Sequence, residues 1–232
     1  MFYIKNILVG NTISNECEKN LSSFGYNIIK LPEYRRLQPY VSTHADMLIF
    51  YDGKSIVTSR EYYSENRELF DLLGVKIVLS DELIEKEYPN DILFNAVLTK
   101  DGVLFSKNKH TSKLIKSMAK LEINVNQGYT ACSTCRVSDK AFMTADSGLY
   151  NAYMSNGIDC ILVSKDDIYL PGYDCGFIGG ASVVLDDKVC FFGDVKKHRD
   201  YEKMLEFVRK YDKDVISLSD EKLTDIGGAV VV

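Results

Sequence analysis

The sequence lacks a long apolar run and a surplus of positive charge. None of its apolar stretches approaches the roughly 20 residues that span a bilayer, and Met1 to Lys5 lack the basic and then apolar order of a signal peptide. The net charge of −5 at pH 7 gives no basic surface for nucleic acid. We therefore expect a cytoplasmic protein that binds neither membranes nor nucleic acid.

Motifs for metals and dinucleotides are also missing. Cys132 to Cys135 is a Cys-x-x-Cys sequence, which could be half of a zinc site or a redox pair, but no second such motif and no His-x-x-x-His accompanies it. Gly179-Gly180 and Gly227-Gly228 do not form the Gly-x-Gly-x-x-Gly of a dinucleotide site. The six cysteines are irregularly spaced, unlike a disulfide framework. We expect reduced thiols, no cofactor and no bound metal.

What the sequence does contain is a repeat. The tetrapeptide Ile-Gly-Gly-Ala occurs at residues 178–181 and again at 226–229. After the first copy, the pattern continues through a strand, a turn at Asp186-Asp187 and a second strand. The second copy is followed only by Val230 to Val232, and the matching second strand is found at the other end, at Ile4 to Gly10. We therefore predict one repeat divided between the two ends of the chain, which pair with each other.

Five segments share the order strand, turn, strand, amphipathic helix and third strand. Their equivalent starting positions are His44, Asn90, Cys132, Gly179 and Gly227, which lie 42 to 49 residues apart when the last interval is counted through the termini. Such a period is typical of repeated units that bury a core only together. We predict one α/β domain, a closed pseudo-fivefold propeller-like ring, with repeats at about 44–89, 90–131, 132–178, 179–225 and 226–232 plus 1–43. The alternative is an ordinary α/β domain with chance similarity.

Individual elements follow from periodicity and turn residues. Met47 to Tyr51 and Ile92 to Leu98 are predicted first strands. A helix is predicted over Glu61 to Leu73, with Leu69, Leu72 and Leu73 on its inner face. Asp146 is predicted to cap the helix that follows it, because its carboxylate can accept free backbone N–H groups.

The five units resemble the pentein fold of guanidino-modifying enzymes, which include amidinotransferases, arginine deiminases and dimethylarginine hydrolases. A non-catalytic relative, the ribosome anti-association factor, is similar in length and repeat number. Along essentially the whole chain, the motifs are most similar to a family of uncharacterised bacterial proteins assigned to that fold. These motifs are Thr43 to Leu48, Gly128 to Ser133, Leu170 to Tyr173 with Phe177 to Ala181, and Asp225 to Gly228.

In a ring of repeats, the starts of the first strands converge on the axis, where this sequence places a thiol, an imidazole and several carboxylates. Cys132 is the candidate nucleophile and His44 the candidate general acid/base. Asp46 would orient His44 or form part of a clamp for a guanidinium, which pairs well with carboxylates. The candidate substrate-binding residues are Asn90, Asp91, Ser182 and Asp225.

Two functions follow as expectations. The first is a cysteine-dependent hydrolase or transferase that acts on a small guanidino or amidino compound. The alternative is a non-catalytic module that binds a ligand or a protein partner, as the ribosome factor does. The resembling enzymes carry their nucleophilic cysteine in the last repeat, where this sequence has Gly227-Gly228-Ala229. As alternatives without catalysis, Cys132 could be a small side chain of the core, and His44 could bind its loop to the backbone. His110 and His198 are expected to be solvated.

Overall fold

The computed structural model describes residues 5–232, which contain fifteen strands and seven α-helices. The strands are β1 (Asn6–Gly10), β2 (Asn27–Leu31), β3 (Ile49–Tyr51), β4 (Ser55–Ser59), β5 (Lys76–Ser80), β6 (Val97–Leu98), β7 (Val103–Ser106), β8 (Leu121–Asn124), β9 (Thr134–Ser138), β10 (Ala141–Thr144), β11 (Asp159–Leu162), β12 (Ser182–Val184), β13 (Lys188–Phe191), β14 (Asp214–Ser217) and β15 (Ala229–Val231). The helices are α1 (Asn15–Ser23), α2 (Ala45–Leu48), α3 (Arg60–Glu65), α4 (Arg67–Asp71), α5 (Lys113–Ser117), α6 (Ser147–Ser155) and α7 (Tyr201–Arg209).

The strands form five three-stranded sheets that share one topology. Their orders are β15-β1-β2, β3-β4-β5, β6-β7-β8, β9-β10-β11 and β12-β13-β14. In every sheet the first two strands are antiparallel, and the third returns parallel to the second after helical structure. The mixed α/β fold with a fivefold-repeated unit is therefore observed.

The sheet β15-β1-β2 joins the two ends of the chain. Ile7 pairs with Val231, Leu8 with Val230 and Val9 with Ala229 in antiparallel register. Two backbone hydrogen bonds of 2.9 Å between Asn6 and Val232 extend the ladder. The predicted pairing of the ends is confirmed, and Ile4, where the prediction began the strand, lies outside the described residues.

Two predicted first strands are shorter in the structure. The prediction of a strand from Met47 was wrong, because Ala45 to Leu48 form helix α2 and the strand begins at Ile49. The carbonyl of His44 accepts hydrogen bonds from the N–H groups of Met47 and Leu48, which closes this turn. The strand predicted over Ile92 to Leu98 is limited to β6, because the backbone turns between Ile92 and Asn95.

The helix predicted over Glu61 to Leu73 is broken at Asn66. This residue leaves helical geometry with φ −128° and separates α3 from α4. Because of this break, the side chains of α4 do not continue the inner face of α3. Phe70 is buried, whereas Leu72 is 82% exposed, so the prediction that Leu72 faces inward was wrong. The cap prediction was right, since Asp146 Oδ1 accepts the Leu149 N–H at 2.8 Å at the start of α6.

Apolar side chains join neighbouring sheets. The Tyr153 ring from α6 packs against Phe105 of β7 at 4.8 Å and against Phe142 of β10 at 5.0 Å between ring centroids. A second cluster joins Ile7 and Val9 of β1 to strands of the β12-β13-β14 sheet. These contacts fix the sheets side by side and so fix the chain segments that precede each first strand. No helix within residues 5–232 is long and apolar enough to cross a membrane.

Candidate active site at the starts of the first strands

A circuit of hydrogen bonds connects the segments that precede the first strands of all five sheets. Gly180 N donates to Cys132 O at 2.9 Å, Gly228 N to Gly180 O at 2.8 Å, Asp46 N to Gly227 O at 3.2 Å, Asn95 Nδ2 to Asp46 O at 3.1 Å, and Ala131 N to Asn95 Oδ1 at 2.7 Å. Four of the five predicted segments therefore meet through backbone groups, and the fifth meets them through the Asn95 side chain.

Asn95 is the residue of this site that the sequence analysis missed. Its Oδ1 accepts from the N–H groups of Ala131 and Cys132, at 2.7 and 3.3 Å. Its Nδ2 lies 3.0 Å from Cys132 Sγ as well as 3.1 Å from Asp46 O. The available signal was a single amide in the apolar run from Ile92 to Leu98. A buried amide in such a run needs hydrogen-bond partners, which here come from two other repeats.

The Asp46 carboxyl is buried and unsatisfied. Neither of its oxygens has a partner with normal hydrogen-bond geometry among residues 5–232, although the Cys132 thiol is close enough to act on its pKa. Burial raises the pKa of this carboxyl well above its usual range, and the nearby charge of Asp225 raises it further. Asp46 also lines a cavity of about 750 Å³ that is bounded by all five first strands. A carboxyl in this position can pair with a cationic group that enters the cavity.

Asp225 is held in place by backbone groups. Its Oδ1 accepts from Gly227 N and its Oδ2 from Phe177 N, both at 2.9 Å. Burial outweighs these two hydrogen bonds and raises the pKa of Asp225 to about 6. The Asp225 carboxyl also explains why residue 180, in the first Ile-Gly-Gly-Ala copy, is a glycine. A Cβ added at Gly180 would lie 1.9 Å from Asp225 Oδ1.

The His44 imidazole lies beside Asp225 without a hydrogen bond to it. Its Nδ1 lies 3.9 Å from Asp225 Oδ1, and its side chain packs on Gly227, where an added Cβ would lie 2.3 Å from the His44 Cβ. His44 is only 2% exposed, and burial lowers its pKa to about 4, so the imidazole is neutral at pH 7. Within residues 5–232 no hydrogen bond joins His44 to Cys132.

The Cys132 thiol is protonated in this arrangement. The residue is 3% exposed, and burial, with the charges of Asp46 and Asp225, raises the pKa of the thiol well above its usual range. The Asn95 amide acts in the opposite direction. Cys132 therefore adjoins two carboxyl groups and needs an added positive charge nearby before it can ionise at neutral pH.

The four predicted substrate-binding residues are dispersed. Asp225 belongs to the cluster, and Ser182 lines the cavity while its hydroxyl donates to Gly179 O at 3.2 Å. Asp91 is buried outside the circuit, with Oδ2 accepting from the Tyr129 hydroxyl at 2.7 Å. Asn90 is exposed and donates to Glu85 Oε2 at 2.9 Å, so the structure does not bring it to the cluster.

The remaining cysteines and histidines lie elsewhere. Cys132 and Cys135 are free thiols that pack in different core clusters, which does not fit a shared zinc or redox site. The prediction that His198 is solvated was wrong, because its side chain is buried. Both ring nitrogens have partners there: Nε2 lies 3.0 Å from Ser164 O, and Nδ1 accepts from Asp200 N at 3.1 Å. His110 is half-buried at the end of a short 3₁₀ turn.

Solved structures with the same fold are guanidino-modifying enzymes. DDAH from Pseudomonas aeruginosa, in complex with citrulline, is 10% identical with a TM-score of 0.56, and the match covers 100% of both chains. The C. jejuni agmatine deiminase is 9% identical with a TM-score of 0.56, covering 93% of this chain and 86% of that one. An amidinotransferase from Microseira wollei is 11% identical with a TM-score of 0.53, covering 93% and 88%. At this identity the likeness shows the pentein fold and not the reaction.

No curated protein matches the chain. A family model does match it, over residues 8–230, which include every residue of the hydrogen-bond circuit. The chain therefore belongs to the family of unknown function DUF6873.

Proposed function

We propose that this protein binds a small guanidino or amidino compound at Asp46 and that Cys132 attacks it. The observation that carries this proposal is the Asp46 carboxyl, which lines the cavity without a hydrogen-bond partner and adjoins the Cys132 thiol. In this proposal the five sheets form a pseudo-fivefold ring, one domain of five repeats, with the site at its axis. The circuit of hydrogen bonds through the five segments supports that arrangement.

Electrostatics favour a cationic ligand here. Two carboxyl groups, those of Asp46 and Asp225, are buried close enough to raise the pKa of Asp46 and of Cys132. A guanidinium or amidinium beside Asp46 would stabilise the carboxylate form, and a bidentate pairing would satisfy both of its free oxygens. The same positive charge would lower the pKa of the Cys132 thiol, so ligand binding itself would prepare the nucleophile.

The proposed step is the transfer of the amidino group to sulfur. Cys132 Sγ forms a bond to the central carbon, the bond from that carbon to one nitrogen breaks, and the thiol proton ends on the leaving amine. We assign the transfer of this proton to His44, whose imidazole is neutral at pH 7. Because no hydrogen bond joins it to Cys132 among residues 5–232, this step requires the imidazole to turn toward the sulfur when the ligand binds. Water would then release the carbon from Cys132 in a hydrolase, and a second amine would do so in a transferase.

A second candidate function is ligand binding without reaction. Two observations favour it: the Cys132 thiol is protonated, and His44 packs against Asp225 and Gly227 instead of bonding to the sulfur. The last repeat, in which the resembling enzymes carry their cysteine, also has Gly227-Gly228-Ala229 and no cysteine. In this function Asp46 would still hold the cation, and the cavity would serve a sensing or docking role.

One experiment separates these functions. Guanidino and amidino compounds are incubated with the wild type, with Cys132→Ala and with the matched control Cys175→Ala, whose half-buried cysteine takes no part in the hydrogen bonds of the circuit. Released amine or ammonia measures turnover, and calorimetry measures binding. Turnover by the wild type and by Cys175→Ala, lost in Cys132→Ala, supports the enzyme. Binding without turnover supports the second candidate, and no binding to any of these compounds contradicts both.

A further inference from the structure

The central cavity contains a cationic side chain that forms no ion pair with any of residues 5–232. Arg136 lies in the middle of β9 and lines the cavity. Among residues 5–232 its guanidinium makes no hydrogen bond and no ion pair. Its guanidinium carbon lies 5.8 Å from the centroid of the Phe142 ring. Burial lowers the pKa of Arg136, and an arginine so placed stays charged.

Two ion pairs mark the mouth of the cavity, and Lys213 donates there to the backbone carbonyls of Leu185 and Asp186. Lys5 pairs with Asp186 at 2.7 Å and Lys100 with Asp139 at 2.6 Å, and these side chains are about half to three-quarters exposed. All of them lie near the hairpin-turn ends of the first strands, opposite the end where Asp46 lies. Arg136 therefore lies deeper than the paired charges, between the mouth and the hydrogen-bond circuit.

The charge of the cavity is opposite in sign to that of the chain. Its wall carries the four cationic side chains of Lys5, Lys100, Arg136 and Lys213 and the three side-chain carboxyl groups of Asp46, Asp139 and Asp186. The chain as a whole has a net charge of −5. The cationic side chains lie on the mouth side of Asp46, so this part of the cavity attracts anions, whereas the Asp46 end takes the cation of the proposed function. Low-dielectric walls strengthen the field inside a cleft.

We infer that Arg136 is an anion-binding residue, and that the cavity takes a small molecule bearing a carboxylate or phosphate group. The guanidinium presents several N–H donors in a planar fork that matches either oxyanion, and bidentate pairing would satisfy donors that the protein leaves free. The Phe142 ring, with its centroid 5.8 Å from the guanidinium carbon, favours a cation at this position. This site does not depend on any reaction at Cys132.

The test uses inorganic phosphate and succinate as probes, at constant ionic strength, with isothermal titration calorimetry. The wild type should bind at least one of them. Arg136→Gln should bind at least tenfold more weakly, and Arg136→Lys should retain part of the affinity. The matched control is Arg67→Gln, which removes an exposed arginine paired with Asp71 and should bind as the wild type does. Preference for phosphate identifies a phosphate ester as the ligand class, and preference for succinate identifies a carboxylate.

A second readout uses the wild-type protein alone, so it does not depend on how a variant folds. Phenylglyoxal labels arginine side chains, and peptide mass spectrometry gives the rate at each one. The bound anion should slow the labelling of Arg136 at least fivefold and leave Arg67 unchanged. The inference is overturned if neither anion binds the wild type, if Arg136→Gln binds as tightly, or if phenylglyoxal does not reach Arg136 even without an anion.

Discussion

The Nδ2 atom of Asn95 lies 3.0 Å from Cys132 Sγ, and the Oδ1 atom of the same amide accepts the Cys132 N–H at 3.3 Å. One side chain from the second repeat therefore fixes both the backbone and the sulfur of the candidate nucleophile in the third. It is also the only side chain in the circuit that links the five repeats.

Replacing Asn95 with alanine should lower the free energy of unfolding by about 3 kcal/mol. The change leaves the buried Ala131 N–H and Asp46 carbonyl without partners, and each unsatisfied group costs about 1–3 kcal/mol. Urea denaturation measures the loss. The control is Asn156→Ala, which removes one exposed hydrogen bond to Ala152 O and should cost under about 1 kcal/mol. Equal losses in the two variants would show that the circuit does not stabilise the fold.

Gly180→Ala should be strongly destabilising, by about 3 kcal/mol or more. Its Cβ would lie 1.9 Å from Asp225 Oδ1, so the carboxyl must move and give up the hydrogen bonds from Gly227 and Phe177. The same substitution at Gly148, in the first turn of α6, should be close to neutral, because the nearest atom is a side-chain oxygen at 3.1 Å. Thermal unfolding of both variants checks this, and a stable, unchanged Gly180→Ala protein would contradict the geometry.

His44 should make the protein less stable as the pH falls from about 6.5 to 4. The unfolded imidazole binds a proton below its usual pKa of about 6.5, while the folded imidazole resists protonation down to a pKa of about 4. Over that range the unfolded state holds the extra proton, so stability rises with pH by about 3 kcal/mol. His44→Asn should remove this rise, as urea denaturation at several pH values would show.

Asp225 should act in the opposite direction. Its folded pKa is raised to about 6, so between about pH 4 and 6 the folded state holds the proton and stability falls as the pH rises. The two residues offset each other in the wild type, and Asp225→Asn should steepen the rise that His44 produces. Parallel stability curves for the wild type and both variants would show that neither group is buried as described.

Deletion of residues 227–232 should unfold the whole protein rather than one edge of it. The deletion removes β15, its ladder with β1, and the Gly227 and Gly228 groups of the circuit. Amide hydrogen exchange reports each sheet separately, and protection should be lost even in β6, β7 and β8, which form a separate sheet from β15. Loss confined to β1 and β2 would mean that the sheets are stable independently.

The fold was predictable from the sequence because its signals are local and repeated. The two Ile-Gly-Gly-Ala copies and the matching strand at the N-terminus predicted that the two ends of the chain pair, and the structure pairs Val9 with Ala229. The site was predictable only in part. His44, Asp46, Cys132 and Asp225 do meet, because they precede equivalent strands.

The contacts of the site that could not be predicted from the sequence are those between loops of different repeats. Asn95 lies in an apolar run, and its partners are 36 and 49 residues away, at Ala131 and Asp46. Asn90 occupies an equivalent position in the repeat, yet it turns outward to Glu85. Periodicity predicts which segments converge on the axis, whereas side-chain direction inside an irregular turn depends on tertiary packing.

The most direct test of the account is the rate at which Cys132 is alkylated by 2-chloroacetamidine, a cation, compared with chloroacetamide, its neutral analogue of the same shape. Rates are read by mass spectrometry of the Cys132 peptide, with glutathione giving the intrinsic ratio and Cys175 serving as the reference within the protein. The account predicts that the wild type favours the amidine at Cys132 at least tenfold beyond glutathione, and that Asp46→Asn abolishes the preference. A ratio equal to that of glutathione, or a preference that survives in Asp46→Asn, would contradict a cation site at Asp46 beside a reactive Cys132.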